Sequence, residues 1–206
     1  MARSKSSGSW LRRHVTDPYV KLAQKEGYRS RSAYKLIELN EKDHLLRPGQ
    51  WVMDLGSAPG GWSQVAAKAV GAKGRVLATD ILPMDPINNV DFIQGDFTTD
   101  AVVEQIRTWL RDEKFDLIVS DIAPNLSGID SADQARSIYF LELALDTVRL
   151  ALKPGAAFVA KMFQGQGSDE YVKELRKSFK KVSIRKPKAS RPESREVYIV
   201  AKDFRG

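Results

Sequence analysis

Cysteine is absent from this 206-residue chain. Its absence excludes disulfides and thiolate metal sites and points to a reducing, intracellular setting, so a cytoplasmic protein is expected. Histidine is nearly absent too, with only His14 and His44, and no zinc or other metal site is expected. No apolar run reaches the roughly 18 residues of a membrane-spanning helix. Residues 1–9 lack the apolar core of a secretory signal. No membrane partner is therefore expected. Two phosphate-loop spacings are also missing. There is no G-x-G-x-x-G, which excludes a dinucleotide site, and no Gly-Lys-Ser/Thr follows the glycine-rich bend, which excludes a P-loop.

Acidic residues are scarce at both ends. Residues 1–31 hold eight Lys/Arg against two Asp/Glu, a net +6, and residues 173–206 hold twelve against four, a net +8. The intervening residues 32–172 carry −7. Two basic segments around an acidic body suggest a polyanionic partner, nucleic acid first. Residues 1–9, rich in Ser and Gly, read instead as a disordered tail. The C-terminal segment reads as folded, because Val182, Ile184, Val197, Ile199 and Val200 alternate as in strands. The length suits a basic, partly disordered arm over residues 1–30 and one domain over 31–206, expected to act as a monomer.

Ser30 or Ser32 is placed to cap a helix running to about Glu41, with Leu36, Ile37 and Leu39 on its buried side. Apolar runs then predict strands at 51–55, 75–80, 90–94, 116–120 and 157–161, with helices at about 62–70, 99–111, 133–152 and 169–179. Two last strands follow, near 181–186 and 196–201, one of them an antiparallel edge. Alternation of this kind means an α/β fold, a mostly parallel seven-stranded Rossmann-like sheet with helices on both faces. Ligands of such sheets lie beyond the carboxyl ends of the strands.

The most telling segment is Asp54-Leu-Gly-Ser-Ala-Pro-Gly-Gly-Trp-Ser63. A strand runs into a bend with three glycines and a proline, and a helix follows. Three glycines exceed what a connection needs and point to a nucleoside ligand without pyrophosphate, S-adenosylmethionine foremost. Asp80 ends the second strand, where an acid can accept the hydroxyls of a ribose. Asp96 follows the third, in reach of an adenine amino group, with Phe97 placed to flank the ring. Asp121 leaves the fourth strand beside this crevice. Lys161 closes an otherwise apolar strand, and a buried ammonium is costly unless it is paired and used. Lys35 and Glu196, on spacing alone, do not rise above solvated surface charges.

Taken with Asp80–Pro86, Gly95–Phe97, Asp121–Gly128, Lys161–Gly165 and Ser194–Tyr198, that segment resembles the RrmJ/FtsJ family of ribosomal RNA ribose 2′-O-methyltransferases. The resemblance runs from about Trp10 to Ala201. It implies a class I methyltransferase fold with S-adenosylmethionine as cofactor. It implies catalytic residues Lys35, Asp121, Lys161 and Glu196, and cofactor-binding residues Gly60, Trp62, Asp80, Asp96 and Asp121. It further implies a uridine of the large-subunit ribosomal RNA as target, on the assembled or late-assembling subunit. Rival readings are a tRNA or cap 2′-O-methyltransferase, a non-catalytic ribosome-assembly factor on the same fold, and an NAD-dependent oxidoreductase. The last is disfavoured by the missing dinucleotide fingerprint.

Overall fold

The computed structural model describes residues 17–124, 127–128 and 130–206. The expected tail, residues 1–9, and the start of the arm, with Trp10, Arg12, Arg13 and His14, lie outside them.

Helix α1 (Pro18–Glu26) begins where its sequence says it should. The Asp17 carboxylate accepts from Tyr19 N at 3.0 Å, Pro18 takes the first turn, and Gly27 ends the helix with a φ of 76°. From Asp17 on, the expected arm is folded, with Ala23 packed against Tyr34 of the next helix. That helix, α2 (Ala33–Asp43), departs from expectation at its start. Ser32 has helical backbone angles and makes no cap; its hydroxyl is 2.6 Å from the Ser30 hydroxyl instead.

Strands β1 (Trp51–Leu55), β2 (Arg75–Asp80), β3 (Val90–Gln94), β4 (Phe115–Ser120), β5 (Leu152–Phe163), β6 (Phe179–Arg185) and β7 (Glu196–Phe204) form one sheet of order β3-β2-β1-β4-β5-β7-β6. Strands β1 to β5 are parallel to one another, and β7 runs antiparallel to both β5 and β6. The antiparallel strand is thus not the edge, as expected, but lies one place inside it. Burial explains the order. Val197 to Ala201 are all buried, as an interior strand requires. In β6, Lys180, Lys181 and Ile184 are exposed, which suits an edge.

Helices α3 (Gly61–Val70), α4 (Asp100–Leu110), α5 (Asp130–Ala151) and α6 (Ser168–Ser178) complete the layers. One face of the sheet, with Val52, Leu117, Val159 and Tyr198, packs on α2 and α3 through Leu36, Leu39, Trp62 and Val65. The other, with Met53, Ile118, Phe158 and Ile199, packs on α4, α5 and α6. Each large side chain so buried contributes roughly 1.5–3 kcal/mol. Strand alternation decides which face Lys161 takes. It shares the α2 face with Val159, so its ammonium emerges toward Lys35. The strand order reverses between β1 and β4, and a crevice opens at the carboxyl ends of those two strands.

Candidate active site

The bend after β1 is held by the next strand. Gly56 N and Ser57 N both donate to Thr79 O, at 2.9 and 3.1 Å, and Gly60 N donates to Ser57 O at 2.7 Å. Gly60, with a φ of 110°, precedes the first turn of α3, and a side chain there would run into Ile87. Glycine is therefore required by the protein's own packing as well as by any ligand. Asp80 reaches back into the bend, accepting from Ala58 N at 2.9 Å with one oxygen and from Leu82 N at 2.8 Å with the other. Each oxygen keeps a second lone pair. Asp96 is exposed and accepts from Thr98 N and Oγ1 on a single oxygen, at 3.0 and 2.7 Å. Arg29 ties the outer wall together, donating to Pro59 O, Asp85 O and Pro86 O at 3.2, 2.6 and 2.8 Å.

Two aromatic residues expected at this crevice are core residues. Trp62 is 2% exposed, donates its indole N–H to Ser32 O at 2.8 Å, and packs on the Tyr198 ring. Only its main chain, in the first turn of α3, is left to face a ligand. Phe97 is buried in the α4 core with Val102 and Ile106.

Beneath the bend lies Asp54, buried, one oxygen held by the Ser63 hydroxyl at 2.6 Å and the other without a partner. Burial above all, with the carboxylates of Asp121 and Asp80, pushes its carboxyl up to about 7 against the downward pull of the Ser63 hydrogen bonds. Asp80 and Asp121, both close enough to act on buried Asp54, make the crevice acidic. Such a crevice repels a diphosphate and suits a ligand with positive charge, such as a sulfonium with a free amino group. The residues present therefore fit S-adenosylmethionine.

Beside this crevice four of the sequence-predicted residues meet. Lys161 Nζ donates to Asp121 O at 2.6 Å and pairs with Asp121 Oδ1 at 3.1 Å. Lys35 Nζ pairs with Glu196 Oε1 at 2.6 Å, both side chains largely buried. Burial alone would raise the Glu196 carboxyl; Lys35, helped by Lys161 and the Ser190 hydroxyl, more than reverses this and holds it below the ordinary glutamate range. Elements from opposite ends of the chain converge here: α2, the end of β4, and the paired β5 and β7. Lys35 and Glu196, which spacing alone left as surface charges, are 161 residues apart and in contact.

The sequence reading missed Tyr198. Its hydroxyl donates to Asp121 Oδ1 at 2.6 Å, and its ring lies 5.5 Å from Lys35 Nζ. Burial, then the Asp121 and Glu196 carboxylates, push the phenol far above its ordinary value, so it remains a donor. The signal was available: Tyr198 follows Glu196 by two positions on a strand, so both face the same side. Ser190 was missed as well. Its hydroxyl donates to Glu196 Oε1 at 2.9 Å, and no local pattern marks it.

A clamp on α2 holds the 186–195 connection in place. Glu38 accepts from Lys188 N at 2.6 Å and Ala189 N at 3.0 Å, while Arg31 donates to Ala189 O and pairs with Asp17 at 2.9 Å. Lys35 and Glu38 share one face of α2, and Arg31 stands in the turn just before it. Part of the basic C-terminal charge is consumed internally. Both Arg185 nitrogens bind the Asp43 carboxylate, at 2.9 and 2.8 Å, and Lys202 donates to Asp43 O. Lys180 and Lys188 stay exposed.

The fold and the cluster together define a doubly wound α/β protein that sets a lysine–carboxylate centre beside an acidic crevice. A family model described as FtsJ-like methyltransferase matches residues 28–204, and the chain belongs to that family. It is thus an enzyme of methyl transfer, and the family implies a methyl donor. The chain is 68% identical over 206 residues to a Stutzerimonas stutzeri protein named ribosomal RNA large subunit methyltransferase E, covering 100% of both chains. It is 56% identical, again over the whole of both chains, to a protein of the same name from Pseudomonas aeruginosa PAO1. A Plasmodium falciparum structure described as a ribosomal RNA methyltransferase superposes with a TM-score of 0.78 at 33% identity, over 87% of this chain and 100% of that one.

Proposed function

We propose that this enzyme transfers the methyl group of S-adenosylmethionine to a ribose 2′-hydroxyl, that of a uridine, in large-subunit ribosomal RNA. It acts as a cytoplasmic monomer on the assembled or late-assembling subunit. The observation that carries the reading is the meeting of Lys161, Asp121, Lys35 and Glu196 beside a crevice where Asp54, Asp80 and Asp121 lie close together. The relatives' name supplies the RNA.

When bound, S-adenosylmethionine supplies an electrophilic methyl on a positively charged sulfur, and a neutral leaving group. Asp80 would hold its ribose, Asp96 its adenine amino group, and the main chain at Gly60 and Trp62 its remaining polar atoms. Asp121 borders both the donor and the lysine. The chain's own task is to place the 2′-hydroxyl in line and remove its proton. An ammonium has three donors, and Asp121 occupies two on Lys161. The third position is free for the hydroxyl, to which a charged Lys161 donates and from which a neutral Lys161 accepts the proton. Lys35 and Glu196, locked to each other, hold the same ribose from the far side. Tyr198 keeps Asp121 turned toward Lys161.

Labelled S-adenosylmethionine should be offered with undermethylated large subunits, free ribosomal RNA, transfer RNA and capped messenger RNA. Label entering large subunits, at a ribose that resists alkaline cleavage, is the expected result. Label confined to transfer RNA or to caps would overturn the choice of substrate.

A further inference from the structure

A cavity of about 320 Å³ lies beyond the Lys161–Glu196 centre, on the side away from the acidic crevice, and the reaction leaves it without a role. Its wall includes Phe163, Gln134, Ser194, Arg195 and Glu193. Its volume falls at the lower end of small-ligand pockets, about 300–1,000 Å³.

Phe163 faces the same side of the sheet as Lys161, two residues further along β5, and its register partner on β7 is Glu196. It is half-buried and stands outside both cores. A half-buried aromatic side chain at a strand end, lining the cavity beside the reacting centre, has a stacking face to offer. The wall opposite is rigid. The Gln134 amide is pinned by two donations, to Phe163 O at 3.0 Å and Gln166 O at 3.1 Å. The charges exclude a phosphate occupant. Asp130, Asp133 and Glu193 outnumber Arg195, which itself leans to Asp130 at 3.4 Å. Asp133 is held ionised by hydrogen bonds from Ser127 N and Oγ and from Gly128 N. A neutral planar ring with an N–H donor, as uracil has at N3, fits where a phosphodiester does not.

We propose that this cavity is the subsite for the base of the nucleotide being methylated, stacked on Phe163. The proposal rests on the functional reading above. Along the sheet, the acidic crevice lies at β2, β1 and β4, the lysine centre at β4, β5 and β7, and the cavity at the far ends of β5 and β7. A nucleotide whose 2′-oxygen is at Lys161 would have its base about one strand dipeptide away, roughly 6.6 Å, which is where Phe163 stands.

The test uses the full chain, labelled S-adenosylmethionine and undermethylated large subunits. Phe163→Leu keeps the apolar bulk and removes the stacking face; Phe163→Tyr keeps the face. The leucine variant should raise KM for subunits about tenfold, within the span of one missing base–aromatic stack, with donor affinity by calorimetry unchanged. The tyrosine variant should stay within about twofold of wild type. Glu193→Trp, on the exposed rim, narrows the cavity without touching either core and should raise the same KM, so the test survives a leucine variant that fails to fold. Near-normal KM in folded Phe163→Leu or in Glu193→Trp would overturn the subsite. Wild-type protein that leaves large subunits unlabelled would overturn the functional reading beneath it.

Discussion

Lys161 and Tyr198 face each other across the antiparallel pair of β5 and β7, and both reach the same oxygen of Asp121. One carboxylate oxygen thus takes an ammonium and a phenol, while Lys161 also donates to the Asp121 carbonyl. The lysine is oriented by the main chain and by a side chain together. That arrangement is rigid, and rigidity is what an in-line transfer to a hydroxyl requires.

Tyr198→Phe removes the bond to Asp121 and leaves the ring packed on Trp62. Stability should fall by about 1 kcal/mol, the net worth of one hydrogen bond. The methylation rate should fall while donor affinity changes little, because the hydroxyl removed orients Lys161. Urea unfolding and single-turnover rates on one preparation would show this, and an unchanged rate would remove Tyr198 from the centre.

Asp80→Ala should weaken S-adenosylmethionine binding by roughly 1.5–3 kcal/mol, the scale of hydrogen bonds to a charged group. Part of that loss reflects the bend, since Asp80 also anchors Ala58 N and Leu82 N. Calorimetry is the measurement, and unaltered affinity would place the donor's ribose elsewhere.

Asp54 makes stability depend on pH. Its folded value, about 7, lies above the ordinary aspartate value of 3.8 that holds in the unfolded chain. Between the two the folded state holds a proton that the unfolded state releases, so stability declines as pH rises through that window. Asp54→Asn removes the decline. Relative to wild type it should gain stability from about pH 5 to about pH 8, by a few kcal/mol at most at about 1.4 kcal/mol per pH unit. Urea midpoints at the two pH values give the answer, and an equal offset at both would contradict the raised carboxyl.

Much of this architecture was legible in the sequence. The strands at 51–55, 75–80 and 90–94 match the structure residue for residue, because continuous apolar runs between turn residues leave little choice. The start of β5 was not legible. Lys153-Pro-Gly155 reads as a turn, yet the strand begins at Leu152, and the irregularity is absorbed by a register shift opposite Phe115 and Leu117. That the side chains of Trp62 and Phe97 would fill the two cores was not legible, because aromatic residues beside a ligand motif look like its walls. Lys35 and Glu196 escaped spacing altogether. Only the sheet order that brings α2 to β7 joins them, and sequence distance carries no trace of it.

Reversing the charges of Lys188 and Lys180, both exposed, should weaken RNA binding and flatten its salt dependence. The log–log slope should drop by about 0.7–0.9 for each phosphate no longer neutralised. Donor affinity should hold. Filter binding across salt concentrations would test it, and an unchanged slope would mean that RNA is bound elsewhere.

The most direct test of the proposed chemistry is the single-turnover rate of Lys161→Ala on saturating, undermethylated large subunits with labelled S-adenosylmethionine. The expected result is a fall of about a hundredfold or more, the low end for removing an acid–base group, with the donor still bound at close to wild-type affinity. A Lys161→Ala enzyme that methylates at a near-normal rate would mean that the hydroxyl proton leaves by another route, and it would contradict the role assigned to Lys161 and Asp121.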